Sequence, residues 1–201
     1  MSDESEIIPD ISSEELEEIT REAKEFADRV YGNYTEFMIS VAADVKEALA
    51  LLRSGDSQFA RRTYLRSFFS FVEGVLFAKR NIVREYTKDE ASSHGPRILT
   101  DGERMLLEEI EYELADNGET RIRERNFQPF LKYLRFTFHV SAKLHRKANE
   151  VDYSGSGWQS FRAAYEVRNR ITHPKSRADL LISGDELAQL KAAAAWFLKQ
   201  M

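Results

Sequence analysis

Proline is confined to four positions in 201 residues, Pro9, Pro96, Pro129 and Pro174, and long amphipathic runs fill the intervals between them. A proline removes an amide donor and clashes with the preceding helical turn, so its scarcity leaves helices free to extend. Apolar residues recur at three- and four-residue spacing, which predicts an all-α helical bundle. Ser12 with Glu15 forms a capping-box pattern opening a helix to about Tyr31, where Gly32-Asn33 reads as a stop. A second helix over residues 35–53 carries Phe37, Val41, Val45, Ala48, Leu49 and Leu52, and ends at Ser54-Gly55. These two helices make an acidic N-terminal hairpin, residues 1–55, ahead of a helical bundle over residues 56–201.

The run 57–86 places Tyr64, Leu65, Phe68, Phe69, Phe71, Val72, Val75, Leu76, Ile82 and Val83 on one broad face, as expected of a bundle's central helix. Its opposite edge aligns Arg62, Arg66, Glu73, Arg80 and Arg84, so Glu73 is the lone acid in a basic strip. Residues 88–97, with His94, read as a loop, and Thr100 with Glu103 caps a short acidic helix expected to reach Asn117-Gly118. A further helix over residues 126–149 sets Phe127, Phe130, Leu131, Leu134, Phe138 and Leu144 on one side together with His145, while His139 faces outward. Residues 152–157 form a flexible connection to a helix starting near Trp158. Ser183 with Glu186 caps the last helix, in which Leu187, Leu190, Ala194, Phe197 and Leu198 repeat and residues 192–195 offer a small-residue packing surface.

A hydrophobic content of 42% suffices for a core, and the absence of cysteine excludes disulfides and thiolate metal sites. No apolar run is long enough to cross a bilayer, and the acidic start does not resemble a signal peptide, so a cytoplasmic protein without membrane attachment is expected. The net charge of −5 argues against nonspecific coating of nucleic acid. Local charge is uneven: acids dominate residues 1–28, whereas Arg121, Arg123, Arg125, Lys132, Arg135, Lys143, Arg146 and Lys147 crowd residues 121–150. Solvated helix faces or an RNA-facing surface both fit that asymmetry.

The run Glu166-Val167-Arg168-Asn169-Arg170-Ile171-Thr172-His173-Pro174 departs from what a packed helix demands. Counted at about 100° per residue from Trp158, Phe161, Ala164, Tyr165 and Ile171 span roughly 220° to 340°, and Arg168 projects near 280°. Glu166 lies four residues from Arg162 and Arg170 and can partner both within the helix. Arg168 has no acidic neighbour three or four residues away, so its counter-charge must come from another helix, another chain or a bound anion. Pro174 drives His173 out of helical geometry and marks the helix end. Arg168, Asn169 and His173 then form a candidate polar cluster with a permanent cation, an amide and a group that titrates near neutrality. Glu73, Thr172 and Tyr165 are candidate supporting residues.

Arg168 followed by polar Asn169, with His173 after four intervening residues and Pro174 directly behind, resembles the R-x4-H signature of HEPN domains. The resemblance covers residues 56–201, from the long aromatic helix to the Ser183-Gly184-Asp185-Glu186-Leu187 start and Trp196-Phe197 end of the last helix. It implies a HEPN-like, four-helix up-down core to which the N-terminal hairpin is an addition. It also implies a metal-independent endoribonuclease without cofactors, acting on RNA as a homodimer whose two motif helices share a cleft. Toxin–antitoxin or antiphage defence roles follow from the same likeness, with an antitoxin of nucleotidyltransferase type as a partner. Noncatalytic modules that bind nucleotide, RNA or a protein partner belong to the same family.

The chemistry suits these side chains. RNA cleaves when its 2′-hydroxyl is deprotonated and attacks the adjacent phosphorus. His173 suits proton transfer, Arg168 suits stabilisation of the charged phosphorane, and Asn169 suits orientation of His173 or a phosphate oxygen. The competing structural roles are that His173 bonds terminal carbonyls of its helix and that Arg168 pairs with a carboxylate such as Glu73.

Overall fold

The computed structural model describes residues 13–88, 97–115, 117–124 and 128–201. Ser12 of the first capping pattern, His94 with its loop, and the expected positions of Arg125 and Phe127 lie outside the described residues. The architecture is an all-α bundle with one small strand hairpin: α1 Ser13–Ser54, α2 Gln58–Thr87, α3 Asp101–Leu107, β1 Ile110–Leu114, β2 Thr120–Glu124, α4 Phe130–Leu144, α5 Ser156–Thr172 and α6 Gly184–Leu198. Among the described residues, no helix is long and apolar enough to cross a membrane.

The helix break expected at Gly32-Asn33 does not occur, because α1 is a single helix of 42 residues. It packs along α2, so the hairpin consists of α1 and α2 and not of two halves of α1. Contacts on both sides of Gly32 hold it against α2: Tyr31 meets Tyr86 at 6.2 Å between ring centroids, and Tyr34 and Phe37 meet Phe77 at 6.2 and 6.5 Å. A glycine inside a helix costs about 1 kcal/mol, which such packing offsets.

α2 is the central helix and touches α1, α4, α5 and α6. Ser57 caps it by accepting from the Ala60 N–H at 3.1 Å. Its buried Phe68 and Phe69 meet Phe161 of α5 at 6.3 and 5.7 Å, and Phe68 meets Phe197 of α6 at 6.3 Å. Trp158, Phe161 and Trp196 close the cluster, with Trp158 stacked on Phe161 at 5.8 Å. Ala48 and Leu52 of α1 belong to this same core. A smaller cluster of Val83, Leu99, Leu107 and Val140 lies between α2, α3 and α4.

Both capping boxes read at Thr100/Glu103 and Ser183/Glu186 form. The helix after Thr100 nevertheless stops at Leu107, and Glu109 adopts a φ of 58° before β1. Residues 110–114 alternate in type, and the antiparallel register pairs Glu111 with Arg123 and Glu113 with Arg121. Asn117-Gly118 is therefore the hairpin turn and not a helix stop, with Gly118 at φ 81°. α4 is shorter than the expected 126–149: Pro129 stands at its N-terminus, and it ends at Leu144 with Arg146 at φ 52°. His145 consequently lies past the helix end, exposed, instead of sharing the apolar face. In α6, Ala193, Ala194 and Phe197 are buried, whereas Leu198 is exposed.

Candidate functional site

The connection into α5 is an ordered turn and not a flexible linker. Asp152 Oδ1 accepts from the Ser154 N–H at 2.8 Å, the Ser154 hydroxyl at 2.7 Å and the Gly155 N–H at 3.0 Å. These bonds lower the Asp152 pKa, the Ser154 amide contributing most. Two residues on, a β-carbon at position 157 would run into the Trp196 ring, so glycine allows α5 and α6 to approach. Trp158, Phe161, Ala164, Val167 and Ile171 then fasten α5 to the core. The helix ends at Thr172; His173 takes φ −124° and ψ 59°, and its N–H donates to the Asn169 carbonyl at 3.1 Å.

Arg168 finds its counter-charge on α2. Its Nη2 donates to Glu73 Oε1 at 2.6 Å, and its Nη1 donates to Asn169 Oδ1 at 3.3 Å. The arginine side chain is 29% exposed and the glutamate 46%, so the pair sits at the rim of the core. Val167 takes the buried position beside it. A guanidinium carries five N–H donors, so donors remain for another oxygen ligand.

Thr172 is exposed, and its hydroxyl donates to the Arg168 carbonyl at 2.8 Å. Tyr165 stacks on Phe130 at 4.8 Å and 13°, which makes it part of the α4–α5 packing. His173 is exposed, and its imidazole makes no hydrogen bond or ion pair among the described residues. Side-chain contacts thus bring Arg168, Asn169 and Glu73 together, while His173 is tied to Asn169 through the main chain.

Arg170 differs from expectation. It does not partner Glu166 within the helix; Nη1 and Nη2 donate to Glu186 Oε1 and Oε2 at 2.7 and 3.1 Å, Nη2 to the Leu181 carbonyl at 2.8 Å, and Nε to the Asp179 carbonyl at 3.2 Å. Hydrogen bonding to Arg170 holds the Glu186 carboxyl below its ordinary pKa, and the same bonds raise that of Arg170. Asp179 accepts at Oδ2 from the Lys175 and Ser176 N–H groups, both at 2.8 Å, and these bonds lower its pKa, with Lys175 first.

Three α2 residues complete this clamp, Gln58, Arg61 and, from the basic strip, Arg62. Gln58 exchanges two bonds with the Ile182 main chain at 2.8 and 2.9 Å, Arg61 donates to the Ile182 carbonyl at 2.7 Å, and Arg62 donates to the Leu180 carbonyl at 3.0 Å. Their spacing at i, i+3 and i+4 from the start of α2 was the available signal for a shared face. The segment that follows His173 is thereby anchored from α2, α5 and α6.

The basic strip on α2 is largely engaged in structure. Arg80 lies over the Tyr133 ring at 4.2 Å, and Arg84 donates to Asn81 Oδ1 and the Leu107 carbonyl at 2.7 and 2.6 Å. On the neighbouring basic run, His139 and Lys143 both meet Glu103, at 3.0 and 2.7 Å. Among the described residues, no group of three or more His, Cys, Asp or Glu is gathered to hold a metal ion. No family model matches the chain, and comparisons with curated proteins and with solved structures give no match.

Proposed function

We propose that the chain is a metal-independent endoribonuclease of HEPN type. The supporting observation is the end of α5, where Asn169 accepts from a partly buried Arg168 at its side chain and from the N–H of an exposed His173 at its carbonyl. His173 takes the proton from a ribose 2′-hydroxyl, and the freed oxygen attacks the adjacent phosphorus. Arg168 offers its remaining N–H groups to the phosphorane oxygens, a charge-assisted and partly desolvated contact. Departure of the 5′-oxygen, which must regain a proton, leaves a 2′,3′-cyclic phosphate. In a homodimer with two α5 ends facing one cleft, the imidazolium of either copy supplies that proton. Glu73 is a positioning residue, because it fixes the guanidinium without occupying all of it.

The test is incubation with RNA in EDTA beside Arg168→Ala and His173→Ala variants. The expected result is cyclic-phosphate ends from the wild type and loss of on the order of a hundredfold or more in each variant. Equal cleavage by all three refutes the assignment. One observation favours a second reading: the Glu73 carboxylate already neutralises Arg168, as in a noncatalytic module that binds nucleotide, RNA or a protein partner. RNA binding without cleavage, or binding of a protein partner, would support that reading. A defence or toxin role, with a nucleotidyltransferase-type antitoxin, follows only from the catalytic reading and is part of this proposal.

A further inference from the structure

Where α4 and α6 end, a cavity of about 320 Å3 opens between α2, the α4–α5 connection and the residues after α6. Its lining is unbalanced in charge: three lysines, Lys79, Lys147 and Lys199, stand against one acid, Glu150. Lys147 and Lys199 have an ordinary explanation, because each follows a helix C-terminus, whose partial negative charge favours cations. Lys79 has none. It lies inside α2, away from either terminus, and is half-buried.

Lys79 makes no hydrogen bond or ion pair among the described residues; its Nζ lies 5.6 Å from the Phe138 ring centroid. Burial pushes its ammonium pKa down, with no opposing contribution from an anion. An aromatic face offsets only part of the cost of desolvating an ammonium group, so a chain that keeps Lys79 beside an open cavity retains a place for an anion. Phe138 and Val151 add an apolar wall, and the Ser141 hydroxyl, Asn149 and Gln200 add hydrogen-bonding capacity.

We propose that this cavity binds a small organic phosphate, its dianion held by Lys79, Lys147 and Lys199 and its organic part against Phe138 and Val151. Three ammonium groups against one carboxylate leave a surplus that a dianion matches and a monocarboxylate does not. The volume is at the lower end of ligand sites and suits one mononucleotide or sugar phosphate. The site is separate from Arg168 and His173 and does not depend on the ribonuclease reading.

The experiment is calorimetric titration of the full chain with AMP, ribose 5-phosphate, inorganic phosphate and adenosine. Saturable binding of either organic phosphate, tighter than inorganic phosphate and absent with adenosine, is expected. The tighter of AMP and ribose 5-phosphate identifies the organic part. Lys79→Gln should weaken binding by on the order of tenfold and Lys199→Gln by about threefold, while Arg168→Ala leaves it unchanged. Circular dichroism confirms that the variants are folded, and Lys199→Gln at the surface keeps the test valid should Lys79→Gln fail to fold. Absence of saturable binding up to about 5 mM overturns the proposal. So does wild-type affinity in folded Lys79→Gln, or in Lys199→Gln if Lys79→Gln does not fold.

Discussion

Replacing Arg170 by methionine removes the guanidinium and keeps an apolar stem for packing, which isolates the clamp below His173. Four bonds are lost, two to Glu186 and one each to the carbonyls of Leu181 and Asp179. A buried charge-assisted bond is worth about 1.5–3 kcal/mol, but the Arg170 and Glu186 side chains are 36% and 27% exposed, so solvent reduces the pair to about 1 kcal/mol. The two carbonyl bonds add roughly 1 kcal/mol together, since water can take their place. Arg170→Met should therefore lose about 2 kcal/mol in urea unfolding followed by circular dichroism. Glu186→Gln should lose about 1 kcal/mol, and the two together should show a coupling of about 1 kcal/mol in a double-mutant cycle. Glu166→Gln should stay within about 0.5 kcal/mol, because Arg170 points elsewhere. A coupling near zero with Glu186, or an equal cost at Glu166, would refute the clamp. The Glu186 pKa is depressed in the folded state, so its contribution is complete above the ordinary glutamate pKa and fades as pH falls through the folded value.

Burial raises the Glu103 pKa, yet bonds from Lys143, Thr100 and His139 outweigh it and hold the carboxyl at about 2 against an ordinary 4.5. Stability on the order of 2–3 kcal/mol should then be present above pH 4.5 and lost toward pH 2, and acid titration of Glu103→Gln should show a flatter decline over that window. Gly157→Ala should cost about 1–3 kcal/mol because its β-carbon meets Trp196, whereas Gly102→Ala in open space should be neutral or stabilising when both are melted side by side. Under the ribonuclease reading proposed above, Glu73→Ala should lower RNA cleavage roughly tenfold with KM nearly constant, and Glu73→Gln should keep part of the rate; an unchanged rate removes the positioning role.

Long, strongly periodic helices were legible because their burial pattern is local. Phe68, Phe69, Val72 and Val75 mark the inner face of α2 without reference to other elements. The His173-Pro174 stop was legible for the same reason, since proline acts on its immediate predecessor. Gly32 and Asn117-Gly118 were not. A glycine in a helical pattern is a weak stop, and the contacts that carry α1 past Gly32 come from Tyr86 and Phe77 on another helix. Asn-Gly ends helices and turns hairpins equally well, and the decision came from strand partners on both sides.

Spacing assigns a distant partner to Arg168 alone. From the sequence, Arg168 lacks a local acid and Arg170 has Glu166 four residues away. In the fold both leave their helix, but unequally: Arg170 makes four bonds to α6 and the intervening loop, whereas Arg168 makes one bond to Glu73 and one to its neighbour Asn169. Four bonds commit a guanidinium to holding structure. Two bonds at the rim of the core orient a guanidinium while leaving N–H groups free, the condition under which an arginine can meet a phosphate without first breaking its own supports. The loop that Arg170 secures begins at His173, so the rigid arginine constrains the backbone of the residue with which the other would have to act. Loosening the clamp should therefore disturb function through His173 even where Arg168 and Glu73 remain intact.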